Sequence, residues 1–250
     1  MKTVDLAVVV PTLNEEKYIG RLLDSIYSQT VWPKEIFIVD ATSRDLTIQE
    51  IKKWQKKLPQ LKFCQIPKFS IARQRNLGVN KTSSSKILFL DADTVLVDPK
   101  TLEKYLKEAE EKNARLAVAE NFPLSHHWKD IAYFQAANLG TRVGKFVMPA
   151  AVGINIYCKR SVFEKLGGFD ESIKVGEDIE MIGRFAKKGV LYEVLEEPKI
   201  YTSVRRLRKE GRIRLVLMMI NSFINTRIFG YRGNPIVKEY EFGKHSPTDS

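Results

Sequence analysis

Three short apolar runs, each stopping abruptly at a polar or acidic residue, punctuate the first hundred positions of this chain. Leu6 to Val10 ends at Pro11, Ile36 to Val39 ends at Asp40, and Ile87 to Leu90 ends at Asp91. Continuous runs of this length suit strands buried on both faces. Between them, apolar residues recur at helical spacing: Ile19, Leu22, Leu23, Ile26 and Tyr27, then, less regularly, Leu46, Ile48, Ile51 and Trp54. Leu61 to Ile66 reads as a weaker strand, and residues 71–80 as a helix. Asp98-Pro99 predicts an N-cap and first-turn proline ahead of Leu102, Tyr105, Leu106 and Ala109. Strands alternating with helices predict an α/β fold: a mixed, mostly parallel sheet with helices on both faces. Such sheets bind ligands at the carboxyl ends of their strands. Here three strand ends carry candidate ligand groups: Pro11 to Glu15, Asp40, and Asp91 with Asp93.

The middle of the chain is less regular. A helix is expected from Trp128 to Leu139 and a strand from Val152 to Tyr157. Ser161 and Glu164 have capping-box spacing, and Gly167 and Gly168 would close that short helix. A further helix is expected from Asp178 to Lys188, stopped by Gly189.

The last part changes character. Arg205, Arg206, Arg208, Lys209, Arg212 and Arg214 form a basic cluster. Ile213, Leu217, Ile220, Ile224 and Ile228 then follow on one helical stripe. The uninterrupted apolar run here, Leu215 to Ile220, is six residues, whereas a membrane-spanning helix needs about 20. The segment 212–229 therefore suits packing on the domain, a homodimer interface, or peripheral contact with a membrane. The division expected is a domain over 1–205, with halves 1–95 and 96–205, and a basic amphipathic extension over 206–250.

A net charge of +11, from 41 basic and 30 acidic residues, favours anionic partners. Cys64 and Cys158 are far apart and form no C-x-x-C pair, and His126, His127 and His245 lack zinc-site spacing. No signal-peptide pattern opens the sequence, so the expected location is cytoplasmic, with a peripheral position at the inner face of the cell membrane if 212–229 touches lipid.

Asp91-Ala92-Asp93 carries the most pointed chemistry. Side chains at i and i+2 of an extended segment point the same way. Two hard oxygen ligands there can hold Mg²⁺ or Mn²⁺, and the cation can hold a diphosphate. A lone D-x-D is common turn chemistry; its place after the third ligand-bearing strand end gives it weight.

Together these stretches resemble the family 2 glycosyltransferases, which have the GT-A fold. The resemblance rests on Val9-Val10-Pro11-Thr12-Leu13-Asn14-Glu15-Glu16, on Ile36 through Asp45, and on Ala72-Arg73-Gln74-Arg75-Asn76-Leu77-Gly78. It continues through Leu88 to Asp93, Gly167-Gly168-Phe169-Asp170-Glu171 and Gly176-Glu177-Asp178-Ile179-Glu180. It implies inverting transfer of sugar from a nucleotide-diphospho-sugar, with a glycan, a lipid-linked molecule or a small molecule as acceptor. The implied donor site comprises Pro11, Thr12, Asn14, Glu15, Asp40, Arg73, Arg75, Asn76, Asp91, Ala92, Asp93 and, most softly, Arg205. Asp93 would hold the cation, with Asp91 directly or through water, and Asp40 would accept an N–H of the base. Asp178 is expected as general base, with Glu177 as its rival.

Two features depart from the family pattern. Ala41 stands where a second acid usually follows the position of Asp40, and no Q-x-x-R-W motif follows Asp178. The second absence, with the lack of long apolar segments, favours addition of a single sugar. Two other functions were weighed. A nucleotidyltransferase would want a glycine-rich, lysine-bearing loop after the first strand, which Pro11 to Glu15 is not. A basic nucleic-acid-binding module would leave the acids at the strand ends unexplained, so no nucleic-acid partner is expected.

Overall fold

The computed structural model describes residues 2–147, 154–212, 214 and 215. The first half follows the expected alternation: β1 (Lys2–Thr12), α1 (Ile19–Tyr27), β2 (Val31–Asp40), α2 (Thr47–Gln55), β3 (Leu61–Gln65), α3 (Ile71–Asn80) and β4 (Lys86–Leu90). There follow β5 (Thr94–Val95), α4 (Thr101–Glu111), β6 (Leu116–Pro123), α5 (Trp128–Val147), β7 (Asn155–Lys159), α6 (Arg160–Lys165), α7 (Glu177–Lys187), β8 (Glu193–Thr202) and α8 (Arg205–Glu210).

All eight strands join one sheet in the order β3-β2-β1-β4-β7-β6-β8-β5. β3, β2, β1 and β4 are mutually parallel. β7 runs antiparallel to both β4 and β6, and β8 is parallel to β6. The sheet is thus mixed, as expected, with four of its parallel strands in the first half and the β6–β8 pair in the second. β6 was not anticipated: its run Leu116-Ala117-Val118-Ala119 is largely alanine and lacks the bulky β-branched signature of a strand.

The period-2 geometry of β1 explains why its run is apolar throughout. Val8 and Val10 pack on one face with Leu22, Leu23 and Ile26 of α1. Val9 packs on the other with Ala72 and Val79 of α3 and with Phe89. Each such buried side chain stabilises the fold by about 1.5–3 kcal/mol. α3 approaches β1 closely because Gly78 has no side chain; a Cβ there would lie 2.3 Å from Val9 Cγ1.

Several local expectations are corrected. Asp98 does not cap α4; its Oδ1 accepts from Lys100 N at 2.9 Å in a turn, and the helix opens at Thr101. Ser161 forms no capping box, because α6 already begins at Arg160. Arg160 fixes that start by donating from Nε to Ser84 O at 2.7 Å and from Nη1 to Val79 O at 3.0 Å. α5 continues past Leu139 to Val147. Gly167 and Gly168 do close α6, with φ of +82° and +59°.

The expected boundary at 205 does not coincide with a break in packing. Leu207 and Leu215 are buried against Val204 and against Phe134 of α5. Ile213, Leu217, Ile220, Ile224 and Ile228, which carry the expected stripe, lie outside the described residues.

Candidate active site

The carboxyl ends of β1 and β2 are knitted together by their own loops. Thr12 and Asp40 are register partners, and Thr12 Oγ1 donates to Asp40 Oδ1 at 3.0 Å. Asp40 is fully buried. Its Oδ2 accepts from Ser43 N at 2.8 Å and Gln65 Nε2 at 3.0 Å, and the Ser43 hydroxyl donates to Oδ1. Gln74 of α3 spans both strand ends, donating to Thr12 O at 2.9 Å and Val39 O at 2.7 Å. Asn14, at φ +56°, accepts from Arg44 N at 2.9 Å and donates its own N–H to Ser43 Oγ at 2.8 Å. Thr42 takes φ +58°, costly for a β-branched residue, and is held by its hydroxyl on Ile66 O at 2.7 Å. Asp40 and Asn14 therefore serve the loop architecture here. A base N–H reaching Asp40 would have to replace one of these internal partners.

The D-x-D triplet is not extended. β4 ends at Leu90, and Thr94 N closes a turn on Asp91 O at 3.1 Å. The i, i+2 argument is corrected accordingly: the turn directs the two acids to different cations. Asp91 Oδ1 accepts from Arg75 Nη2 at 2.9 Å, with its side chain still 35% exposed. Asp93 takes Thr202 Oγ1 at 3.4 Å, the Ser203 hydroxyl, and Arg205 Nε at 3.3 Å. Of the two, Asp91 is thus the more open carboxylate and Asp93 the more engaged.

Arg75 is the buried hub. It reaches from α3 to Asp91 and, through Nη1, to Glu177 Oε1 at 3.1 Å, while its guanidinium lies 5.2 Å from the centre of the Phe169 ring. Glu177 opens α7 behind Gly176, a left-handed residue at φ +78°. It is buried, and burial with neighbouring Asp178 raises its carboxyl to about 7 in spite of Arg75. Asp178, next along the first turn, is half-buried and accepts from Ile179 N at 2.8 Å. It contributes repulsion to both Glu177 and Asp91. Burial likewise raises Asp91 to about 6.

Glu15 forms the opposite wall. Both its oxygens accept from Arg205, at 2.8 and 2.7 Å, and Arg205 stacks over Tyr18 at 4.5 Å. Burial lifts Glu15 to about 7 even against that pairing, and Asp93 and Asp91 add to the shift.

Five carboxylates, Glu15, Asp91, Asp93, Glu177 and Asp178, thus share two guanidiniums, Arg75 and Arg205. Such an excess of hard oxygen donors suits a divalent cation. Among the described residues no group of three or more His, Cys, Asp or Glu is arranged to hold a metal. The protein's own donors would be Asp91 and Asp93, with the rest of the shell from substrate and water.

Two predicted site residues lie apart from this cluster. The Arg73 side chain is on the exposed side of α3, one helical position away from the buried side that carries Gln74 and Arg75. Asn76 is spent on the loop after α6: its amide donates to Phe169 O at 2.9 Å and Glu171 Oε1 at 3.0 Å, and its carbonyl accepts from Phe169 N at 3.0 Å. Glycine is required at 168, where a Cβ would stand 2.8 Å from Asn76 Oδ1. Sequence reasoning gave no role to Gln74, Ser43, Gln65 or Tyr18. Gln74 and Ser43 had a visible signal, their places in the family-like stretches Ala72 to Gly78 and Ile36 to Asp45.

Comparison with known proteins agrees with this fold. Residues 7–167 match the family model described as glycosyl transferase family 2. The chain is 26% identical over 197 residues to the O-antigen chain rhamnosyltransferase RfbN of Salmonella typhimurium, covering 74% of this chain and 62% of that protein. Over 92 residues it is 38% identical to the poly(ribitol-phosphate) β-N-acetylglucosaminyltransferase TarS of Staphylococcus aureus, covering 35% of this chain and 16% of that one. It thus spans less than two thirds of either relative. Among solved structures, the mannosyltransferase PcManGT of Pyrobaculum calidifontis, in complex with GDP-Man and Mn²⁺, superposes with a TM-score of 0.69 at 21% identity, covering 94% of this chain and 68% of that one. TarS 1–349 with UDP-GlcNAc gives 0.62 at 24%, covering 81% and 58%. The α/β sheet is that of the GT-A glycosyltransferases. With acids gathered at the ends of β1 and β4 and in the first turn of α7, and the family model matching well over half of its length, the chain belongs to glycosyl transferase family 2.

Proposed function

We propose that this chain transfers a single sugar, with inversion, from a nucleotide-diphospho-sugar to an acceptor hydroxyl or phosphate, and that the transfer depends on a divalent cation. The observation that carries the reading is the cluster of five carboxylates around two guanidiniums, in which Asp91 and Asp178 are partly exposed. The donor class is supported by the relatives solved with UDP-GlcNAc and with GDP-Man and Mn²⁺.

Asp91 and Asp93 would hold Mg²⁺ or Mn²⁺, which when bound supplies positive charge to the departing diphosphate. Arg205, poised on Asp93 and Glu15, supplies a second cation to the same region. Arg75 and Glu177 hold one another and fix Asp91 and the first turn of α7. Glu177, buried and paired, is suited to positioning rather than to meeting an acceptor. Asp178 is the more open acid of the two and takes the acceptor's proton as it attacks. One base without a covalent intermediate gives inversion.

The test is a thermal-shift screen of UDP-, GDP- and dTDP-sugars with and without Mn²⁺, followed by turnover with the donor that stabilises. One base class should raise Tm, and only with the metal. A flat response across all three, in both conditions, would sink the reading.

A further inference from the structure

The solvent side of α5 is apolar in a way that the sheet-facing helices are not. Trp128, Leu139 and Val143 are 68%, 62% and 54% exposed, and Ile131 is also exposed. At positions 128, 131, 139 and 143 they are three, eight and four residues apart, which keeps them on one side with exposed Ala132, Gln135 and Ala136. The opposite side of the helix is the packed one, through Phe134. The charges exposed among these residues are Lys129 and Arg142, both basic, and Arg142 is held by Glu120 Oε1 at 2.8 Å and by Glu196 at 3.5 Å. The one acid of the helix, Asp130, is fully buried and takes Arg212 Nε at 2.8 Å.

That Arg212–Asp130 pair, with the packing of Leu207 and Leu215 on Phe134, fixes the basic segment against the first turns of α5. Arg206, Arg208, Lys209 and Arg214 are exposed there. Lys129 adds a further cation beside Trp128, 5.5 Å from its ring centre. Glu210, the acid of this segment, is answered by Arg206 at 3.4 Å. A surface that joins an exposed tryptophan and aliphatic side chains to exposed lysines and arginines that outnumber the acids of the same segment has the chemistry of a helix lying in a membrane interface. No described helix is long and apolar enough to cross a bilayer, and the tilt called for here is parallel to it.

We propose that the exposed face of α5, together with the cations of α8, docks this protein on an anionic phospholipid surface. α8 is six residues long, about 9 Å, and begins at Arg205 inside the acid cluster. Docking through this patch sets the cleft close to the bilayer. The inference stands independently of the sugar-transfer reading.

The test is vesicle flotation of the full chain with phosphatidylcholine alone and with phosphatidylglycerol added. The wild type should float with the anionic vesicles at low salt and lose at least tenfold in partitioning on phosphatidylcholine. Leu139→Asp with Val143→Asp should reduce binding at least tenfold, and Arg208→Glu with Lys209→Glu should do the same, with unchanged circular dichroism. Quenching of Trp128 by brominated lipid, absent in Trp128→Phe, would place the helix in the interface. Failure of the wild type to float would overturn the proposal. So would flotation unaffected by the α5 changes, which would assign binding elsewhere, or a wild-type dimer in light scattering that those changes dissociate.

Discussion

Arg205 grips Glu15 with both terminal nitrogens across 190 positions of sequence, closing the cleft between the first strand end and the last. The same guanidinium reaches Asp93 through Nε. One residue after β8 thereby holds two acids that would otherwise repel each other in a partly desolvated site.

Replacing Arg205 by Ala should therefore destabilise the protein at pH 8 by about 1–3 kcal/mol, the range for leaving a partly buried charge without its partner. The loss should shrink at pH 5, where Glu15 takes up a proton. Denaturant melts at the two pH values measure the difference.

The wild type should itself lose stability as pH rises through the neutral range. Glu15 and Glu177 are raised from an ordinary 4.5 to about 7 by burial. Raised carboxyls bind more protons in the folded than the unfolded chain, so their contribution is full below about pH 4.5 and is lost as pH passes 7. Tm measured from pH 5 to pH 8 should fall by several degrees, and Glu177→Gln should flatten the slope. An unchanged slope in that variant would count against the assignment.

Arg75→Met should cost about 3–5 kcal/mol, because it leaves the buried Glu177 and the neighbouring, partly exposed Asp91 without a cation. Arg75→Met combined with Glu177→Gln should recover part of that loss. A double-mutant cycle by chemical denaturation reports the coupling.

Asp178→Asn should lower kcat by about 10²–10⁴-fold, the usual worth of a general base, with donor affinity kept. Asp93→Ala should lose metal-dependent donor affinity as well as turnover. Calorimetric titration of the donor with Mn²⁺ separates the two.

Gly78→Ala should destabilise by about 1–3 kcal/mol through overpacking against Val9, and Val9→Ala in the same chain should restore part of it. Because α3 carries Arg75, activity should fall with the shift of that helix.

The sequence by itself determined the order of most elements and the location of the site. Continuous apolar runs and helical periods are local consequences of burial on two faces or one, so Val8, Val9 and Val10 announce a covered strand wherever they sit. β6 escaped because two of the four residues in its apolar run, Ala117 and Ala119, are small, and Val118 is the one β-branched residue there, so the run carries little of that pattern. The acids at Glu15, Asp91, Asp93 and Asp178 were legible as types and positions. Which cation each one meets was decided only by the tertiary structure: Arg75 with Asp91 and Glu177, Arg205 with Glu15 and Asp93, Asn76 with the loop at Phe169 rather than with substrate. Ion pairs and hydrogen bonds fall away over a few ångströms, and partners 16 to 190 positions apart come within that range only when the sheet order is fixed.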